Sequence, residues 1–107
     1  MTQQAFIRAR AVRWSADEPI PGLVEVEFDD AEGQLWRFID KAPIFDREGK
    51  LTSTAAYPRA VDLACTVIDR TGDRVAVSTA EPWGIESVDG QSSFVVRADQ
   101  LISSAPG

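Results

Sequence analysis

The sequence predicts an all-β chain: a small barrel or sandwich of six to seven short, mostly antiparallel strands with at most a single helical turn. Apolar residues recur at every second position in several runs, which is the period of a half-buried strand. Polar segments rich in Asp and Gly separate those runs and are typical of turns. No stretch keeps a helical period, since Pro58 interrupts the best helix candidate. A barrel is favoured over a sandwich because closure removes exposed sheet edges.

The strand assignments follow the alternation along the chain. In residues 6–14 the apolar set changes face after Ala11, from Ala9 and Ala11 to Val12 and Trp14, which is typical of a β-bulge. The run 61–68 is apolar on both faces at its C-terminal end, which predicts a central strand. The remaining assigned strands are residues 24–28, 35–39, 75–79, 85–88 and 94–98.

Hairpin turns are predicted where charged and Gly residues interrupt the alternation. Residues 29–33 and 69–73 each separate two strands. Asp89-Gly90 is the strongest hairpin dipeptide and predicts a type I′ turn that joins strand 85–88 to strand 94–98. A single helical turn is expected at residues 98–101.

Residues 41–60 have no sustained period. A loop of this length is uncommon in a compact domain and is usually functional or partly structured. Residues 44–45 and 51–54 are interpreted as short edge strands, and Pro43 and Pro58 suit such edges. An exposed edge in this segment is one route to a homo-oligomer.

Length and composition bound the class of protein. A chain of 107 residues, 44% apolar and 26% charged, predicts one globular domain over residues 1–107. No apolar run approaches the roughly 20 residues of a membrane helix, so no membrane association is expected. The net charge of -6 disfavours nonspecific binding to nucleic acid. A lone cysteine and no visible secretory signal predict a reducing, cytoplasmic location.

The chain contains no histidine. This absence excludes Ser-His-Asp and Cys-His nucleophiles, and with one cysteine it also excludes a structural zinc site. No Gly-rich phosphate loop occurs. Cys65 lies in the most apolar strand, where burial makes a thiol inert. We therefore predict no catalytic residues, no metal and no cofactor.

The only basic cluster is Arg8, Arg10 and Arg13 on the first strand. Its alternation matches that of Glu25 and Glu27, so cross-strand ion pairing is preferred over a nucleic-acid surface. Catalysis by Glu25 and Glu27 is a weaker interpretation than a solvated strand face, because a catalytic pair also needs a cleft and a shifted pKa.

Two segments carry candidate partner-binding residues. In residues 81–86, Trp83 lies between Pro and Gly and is flanked by Glu81 and Glu86, a composition that suits a binding hot spot. The alternative is that Trp83 folds back to cap the barrel. The segment of residues 41–60 contains aromatic residues and an arginine, which are enriched at protein interfaces. These residues are Phe45, Tyr57 and Arg59.

The leading hypothesis is a small acidic protein-binding module without catalysis, of the immunity, inhibitor or accessory type. One alternative is a small-ligand-binding β-barrel whose mouth is lined by Trp36, Phe38 or Trp83. The other is a carboxylate-based hydrolase that uses Glu81, Glu86 or Asp62 as acid and base.

Overall fold

The structure, a computed structural model, describes residues 3–46 and 49–103. Seven strands occur in these residues, together with one short helix and one 3-10 turn. In chain order the elements are β1 (Gln3–Ala16), β2 (Leu23–Asp29), β3 (Leu35–Lys41), α1 (Ala42–Phe45), β4 (Arg59–Thr71), β5 (Arg74–Ser78), β6 (Ser93–Arg97), the 3-10 turn η1 (Ala98–Gln100) and β7 (Leu101–Ser103).

The strands form one sheet in the order β3-β2-β1-β4-β5-β6, and β7 also pairs with β1. The pairings of β1 with β2, β4 and β7, of β2 with β3, and of β5 with β4 and β6 are antiparallel. Along one edge of β1, the N-terminal part pairs with β7 and the C-terminal part pairs with β2. The sheet therefore curls into a half-barrel, which confirms the all-β prediction and favours the barrel over the sandwich.

Strand β1 shows the predicted frame change. Its residues alternate between buried and outward-facing from Ala5 to Ala11, and the pairing with β2 shifts register between Ala11 and Arg13. The extra residue, Val12, is half-buried. The bulge predicted from the sequence is therefore confirmed, and it turns Trp14 toward the β1–β2 connection. Strand β4 is interior, between β1 and β5, as its apolar run indicated.

An aromatic cluster fills the core at one end of the half-barrel. Phe28 and Phe38 are stacked, and Phe94 from β6 meets both rings edge-on, with centroids 5.3 Å and 5.7 Å away. Trp36 also packs edge-on against Phe94, with the ring centroids 5.0 Å apart. Because β3 and β6 are the two ends of the sheet order, this cluster joins its edges by apolar contact.

Two backbone hydrogen bonds complete that junction. Ala31, in the β2–β3 turn, donates to the carbonyl of Val95 in β6 at 2.9 Å. Val88, in the β5–β6 connection, donates to the carbonyl of Arg37 in β3, also at 2.9 Å. Each edge strand is therefore capped by the turn that belongs to the other edge, which blunts both edges against pairing with another chain.

The β5–β6 connection differs from its prediction. Residues 85–88 are not a strand, because Val88 bonds to Arg37 and Ile85 bonds back to Thr79 instead of forming a ladder. The Asp89-Gly90 turn exists, but only Gly90 takes a positive φ, of 83°. A type I′ turn needs two such residues, so the turn type predicted was wrong.

Residues 41–60 also differ from prediction. Residues 44–45 lie in α1 and residues 51–54 are not a strand, so the short edge strands expected there were wrong. Pro43 sits in the first turn of α1, where its fixed φ suits a helix start. No strand occurs in residues 42–46 or 49–58, whereas homo-oligomerisation through an edge strand stays a prediction. The single turn expected near residue 98 is confirmed as η1. Within residues 3–46 and 49–103, no helix is long and apolar enough to cross a membrane.

Candidate functional site

The segment that carries Trp83 is a projecting loop with a fixed base. Ile85 donates its backbone N–H to the carbonyl of Thr79 at 2.9 Å, and the Thr79 hydroxyl donates to the carbonyl of Ile85 at 2.7 Å. Both side chains are fully buried. We call this pair of bonds the Thr79–Ile85 clasp. The clasp holds both ends of residues 80–84 to the core, so the loop between them is preorganised.

Trp83 lies at the tip of this loop and is 55% exposed. Ile85, two positions later, is 0% exposed and enters the core. The alternative in which Trp83 caps the barrel is therefore not what the structure shows, because Ile85 occupies that place. A large exposed aromatic on a clasped loop costs little conformational entropy when it is covered by a partner, and such residues dominate binding energy at interfaces.

A hollow of about 130 Å³ opens beside the indole of Trp83. We call it the Trp83 hollow. Its walls come from β1, β4, α1 and the loop itself, and its polar residues are Gln4 and Asp62. The apolar and aromatic side chains that line it include those of Phe6, Ile44, Phe45, Ala64, Pro82 and Trp83.

The two flanking glutamates lie outside this hollow. Glu81 and Glu86 are both exposed, and the backbone carbonyl of Glu81 accepts a 3.3 Å hydrogen bond from the Thr66 hydroxyl. Their carboxylates therefore add negative charge to the surroundings of Trp83 without contributing to the wall of the hollow.

The other predicted partner-binding residues are dispersed. Phe45 is 4% exposed and joins the hollow only as part of its wall. The Tyr57 hydroxyl donates to the carbonyl of Thr52 at 2.7 Å, and Arg59 donates to the carbonyl of Lys50 at 3.2 Å. Burial raises the pKa of Tyr57, although Arg59 acts in the opposite direction. Through these two hydrogen bonds, Tyr57 and Arg59 fix the backbone of the segment that follows α1.

Sequence reasoning did not place Phe6 in the candidate site and considered Asp62 only as a hydrolase acid or base, although both line the hollow. Both face outward on neighbouring strands, and Phe6 pairs with Ala64 while Arg8 pairs with Asp62. The alternation of β1 already placed Phe6 on the outer face, which was the available signal. The strand pattern could not predict that α1 and the Trp83 loop would meet beside Phe6.

The basic cluster is paired largely as predicted. Arg10 lies 3.2 Å from Glu27, and Arg13 lies 3.0 Å from Glu25. Glu25 is buried beneath this contact, not solvated as the strand pattern indicated. The cross-strand ion pairs of Arg10 and Arg13 are therefore confirmed. Arg8, opposite Asp62, forms no ion pair within the described part of the chain.

The residues expected for a ligand at the barrel mouth do not converge. Phe38 is 0% exposed, and Trp36 packs on Phe94 in the junction between the sheet edges. Trp83 lines a separate hollow. Cys65 is buried, and burial raises its pKa to about 12, so its thiol is protonated at neutral pH. No group of three or more His, Cys, Asp or Glu within the described ranges is placed to hold a metal ion.

Comparison with known proteins gives no relative: no family model, no curated protein and no solved structure matches this chain.

Proposed function

We propose that this chain is a small acidic protein-binding module of the cytoplasm, of the inhibitor, immunity or accessory type, without catalysis of its own. The observation that carries the proposal is the half-exposed indole of Trp83 on a loop fixed by the Thr79–Ile85 clasp, next to a hollow with aromatic walls. A rigid exposed aromatic beside a hollow is the arrangement of an interface anchor.

The local geometry supports this reading over an accidental exposure. Exposed Ile20 and Ile68 lie on a connection and at a β-bulge, whereas Trp83 lies on a loop tied at both ends. The reducing location is supported by the single buried cysteine, which has no partner for a disulfide in this chain.

The test is a capture experiment with matched variants. The tagged chain is incubated with lysate of its source organism at moderate salt, and a stoichiometric partner is identified by mass spectrometry. The dissociation constant of that partner is then measured for the wild type, for Trp83→Ala and for Ile68→Ala. Ile68 is the control because it is 60% exposed and lies outside the Trp83 hollow.

Loss of a hot-spot tryptophan costs about 2 kcal/mol or more, which is about 30-fold in the dissociation constant. We expect that loss for Trp83→Ala, a change under about threefold for Ile68→Ala, and an unchanged far-UV circular dichroism spectrum for both. A chain recovered reproducibly alone would contradict the proposal. So would equal losses in the two variants, or unfolding of Trp83→Ala.

A further inference from the structure

Among the described residues that line the Trp83 hollow, Gln4 and Asp62 are polar, and Asp62 carries a carboxylate. Asp62 lines the hollow together with Phe6 and Trp83. Aromatic faces attract cations through their quadrupole, and a carboxylate attracts them directly. The wall chemistry therefore matches a side chain that has an apolar stem and a cationic end.

Asp62 has no ion-pair partner within residues 3–46 and 49–103. The contrast with its neighbours is informative, because Arg10 and Arg13 on β1 each lie within 3.2 Å of a glutamate oxygen on β2. Arg8 faces Asp62 in the β1–β4 register, yet the two make no ion pair or hydrogen bond. This carboxylate is left available at the hollow.

The volume of the Trp83 hollow and the negative charge around it also favour a side chain with a cationic end. A volume of about 130 Å³ compares with the roughly 150 Å³ cavity that admits one benzene molecule, so the hollow takes one side chain. Glu81 and Glu86 lie on the same connection as Trp83, and the whole chain carries a net charge of -6. These charges raise the local concentration of cationic groups and repel acidic ones.

We propose that the Trp83 hollow receives one lysine or arginine side chain of the protein partner. Its methylene stem packs against Trp83 and Phe6, and its charged end pairs with Asp62. This inference rests on the proposed function. A purely apolar side chain fits less well, because it would remove water from Asp62 without supplying a hydrogen-bond donor, and an unpaired buried charge is costly.

The test uses short peptides as probes of the intact chain. Acetylated tripeptide amides of the form alanyl-X-alanine are titrated at low salt, with lysine, arginine, norleucine or glutamate as X. Norleucine is the matched control because it retains an unbranched apolar stem without a charge. Binding is followed by ¹⁵N NMR at the Trp83 indole N–H and the backbone amides of Asp62 and Ala64.

We expect saturable shifts with the lysine and arginine peptides, affinity about threefold to fivefold weaker with norleucine, and no binding of glutamate. Asp62→Asn should remove the preference for lysine over norleucine. Asp69→Asn, at an exposed carboxylate on the same strand, should leave it unchanged. Added salt should weaken lysine binding more than norleucine binding, because exposed ion pairs are screened.

The outcomes separate this inference from the proposal beneath it. Equal or tighter binding of norleucine overturns the basic anchor but leaves Trp83 as an apolar anchor. Saturable shifts that persist in Asp62→Asn with the same preference overturn the role of Asp62. Absence of shifts with every peptide overturns the basic anchor, while the effect of Trp83→Ala on a captured partner independently decides the proposed function.

Discussion

Asp30 is only partly buried. We nevertheless expect its removal to destabilise the fold more than the removal of other residues with similar exposure. Its Oδ1 accepts backbone hydrogen bonds from Glu32 at 2.9 Å and Gln34 at 3.0 Å. Its Oδ2 accepts from the indole N–H of Trp36 at 2.9 Å. One carboxylate thus shapes the β2–β3 turn and fixes the indole that packs on Phe94, so it acts on the junction that closes the sheet.

The magnitude follows from those three bonds. A hydrogen bond to a charged group contributes about 1.5–3 kcal/mol, but the two backbone donors lie in an exposed turn and water replaces much of their loss. The indole of Trp36 is half-buried, so its N–H loses more. We expect Asp30→Ala to lower the free energy of unfolding by about 2–4 kcal/mol. The free energy of unfolding of Asp30→Asn should lie between those of the wild type and Asp30→Ala. Asparagine retains Oδ1 but places an N–H donor opposite the indole N–H.

The assay is urea unfolding at pH 7, followed by tryptophan fluorescence and by circular dichroism. Asp29→Ala is the matched control, since the neighbouring carboxylate is half-exposed and, among residues 3–46 and 49–103, pairs only with Arg10, at 3.6 Å. Such surface pairs contribute about 0–1 kcal/mol. Equal destabilisation by Asp29→Ala and Asp30→Ala would refute the assignment of Asp30 as the organising carboxylate.

The same contacts predict a pH dependence. Burial acts to raise the pKa of Asp30, but the Trp36 indole, the two backbone N–H groups and Arg74 outweigh it, so the pKa lies below its ordinary value of 3.8. A lowered folded pKa means that the stabilisation is complete above the unfolded value and is lost as pH falls through the folded one. The stability difference between wild type and Asp30→Ala should be constant near neutrality and shrink below about pH 4. A constant difference down to pH 2 would contradict this reasoning.

Two further predictions concern backbone space and thiol chemistry. Gly22 has a φ of 114°, and a Cβ there would lie 2.1 Å from the ring of Trp14, whereas Gly33 has a φ of 81° and open space around it. Gly22→Ala should therefore lower the free energy of unfolding by about 2–5 kcal/mol, and Gly33→Ala by about 1–2 kcal/mol. Thermal unfolding measures both values. Equal losses would show that Trp14 moves aside freely. Cys65, with a pKa of about 12, should resist alkylation by iodoacetamide at pH 8 in the native chain and react within minutes in urea; rapid native labelling would refute its burial.

Much of the sheet was predictable from local pattern. The strand period located β1, β2, β3, β4, β5 and β6, and the change of apolar face in β1 located its bulge. The cross-strand ion pairs followed from alternating charges on Arg10, Arg13, Glu25 and Glu27. These features are readable because strand residues two apart share a face, so burial is written directly into the alternation.

The long connections were not predictable in the same way. The β5–β6 connection contains an apolar run that resembled a strand. In the structure Ile85 of this run is buried in the core, and Val88 donates a hydrogen bond to β3. Residues 44–45, where a short edge strand was expected, belong to the helix Ala42–Phe45. Sequence pattern reports which residues prefer burial, but it does not say which distant backbone group will satisfy a given N–H.

The candidate site shows the same division. Composition alone singled out Trp83, because a tryptophan between Pro and Gly belongs to a constrained turn. Its exposure depends on the Thr79–Ile85 clasp, and the hollow beside it depends on Phe6, which is 77 positions earlier in the chain.

The sequence by itself determined an acidic, all-β chain without histidine chemistry, with its strands, bulge and ion-paired face. Only the tertiary structure decided that the two sheet edges cap each other and that Ile85 and not Trp83 enters the core. It also decided that Asp62, which has no ion pair in the described part of the chain, lies at an aromatic hollow. The reason is physical. Alternation is a property of neighbouring residues, whereas edge closure and the choice of core residue depend on contacts between segments far apart in the chain.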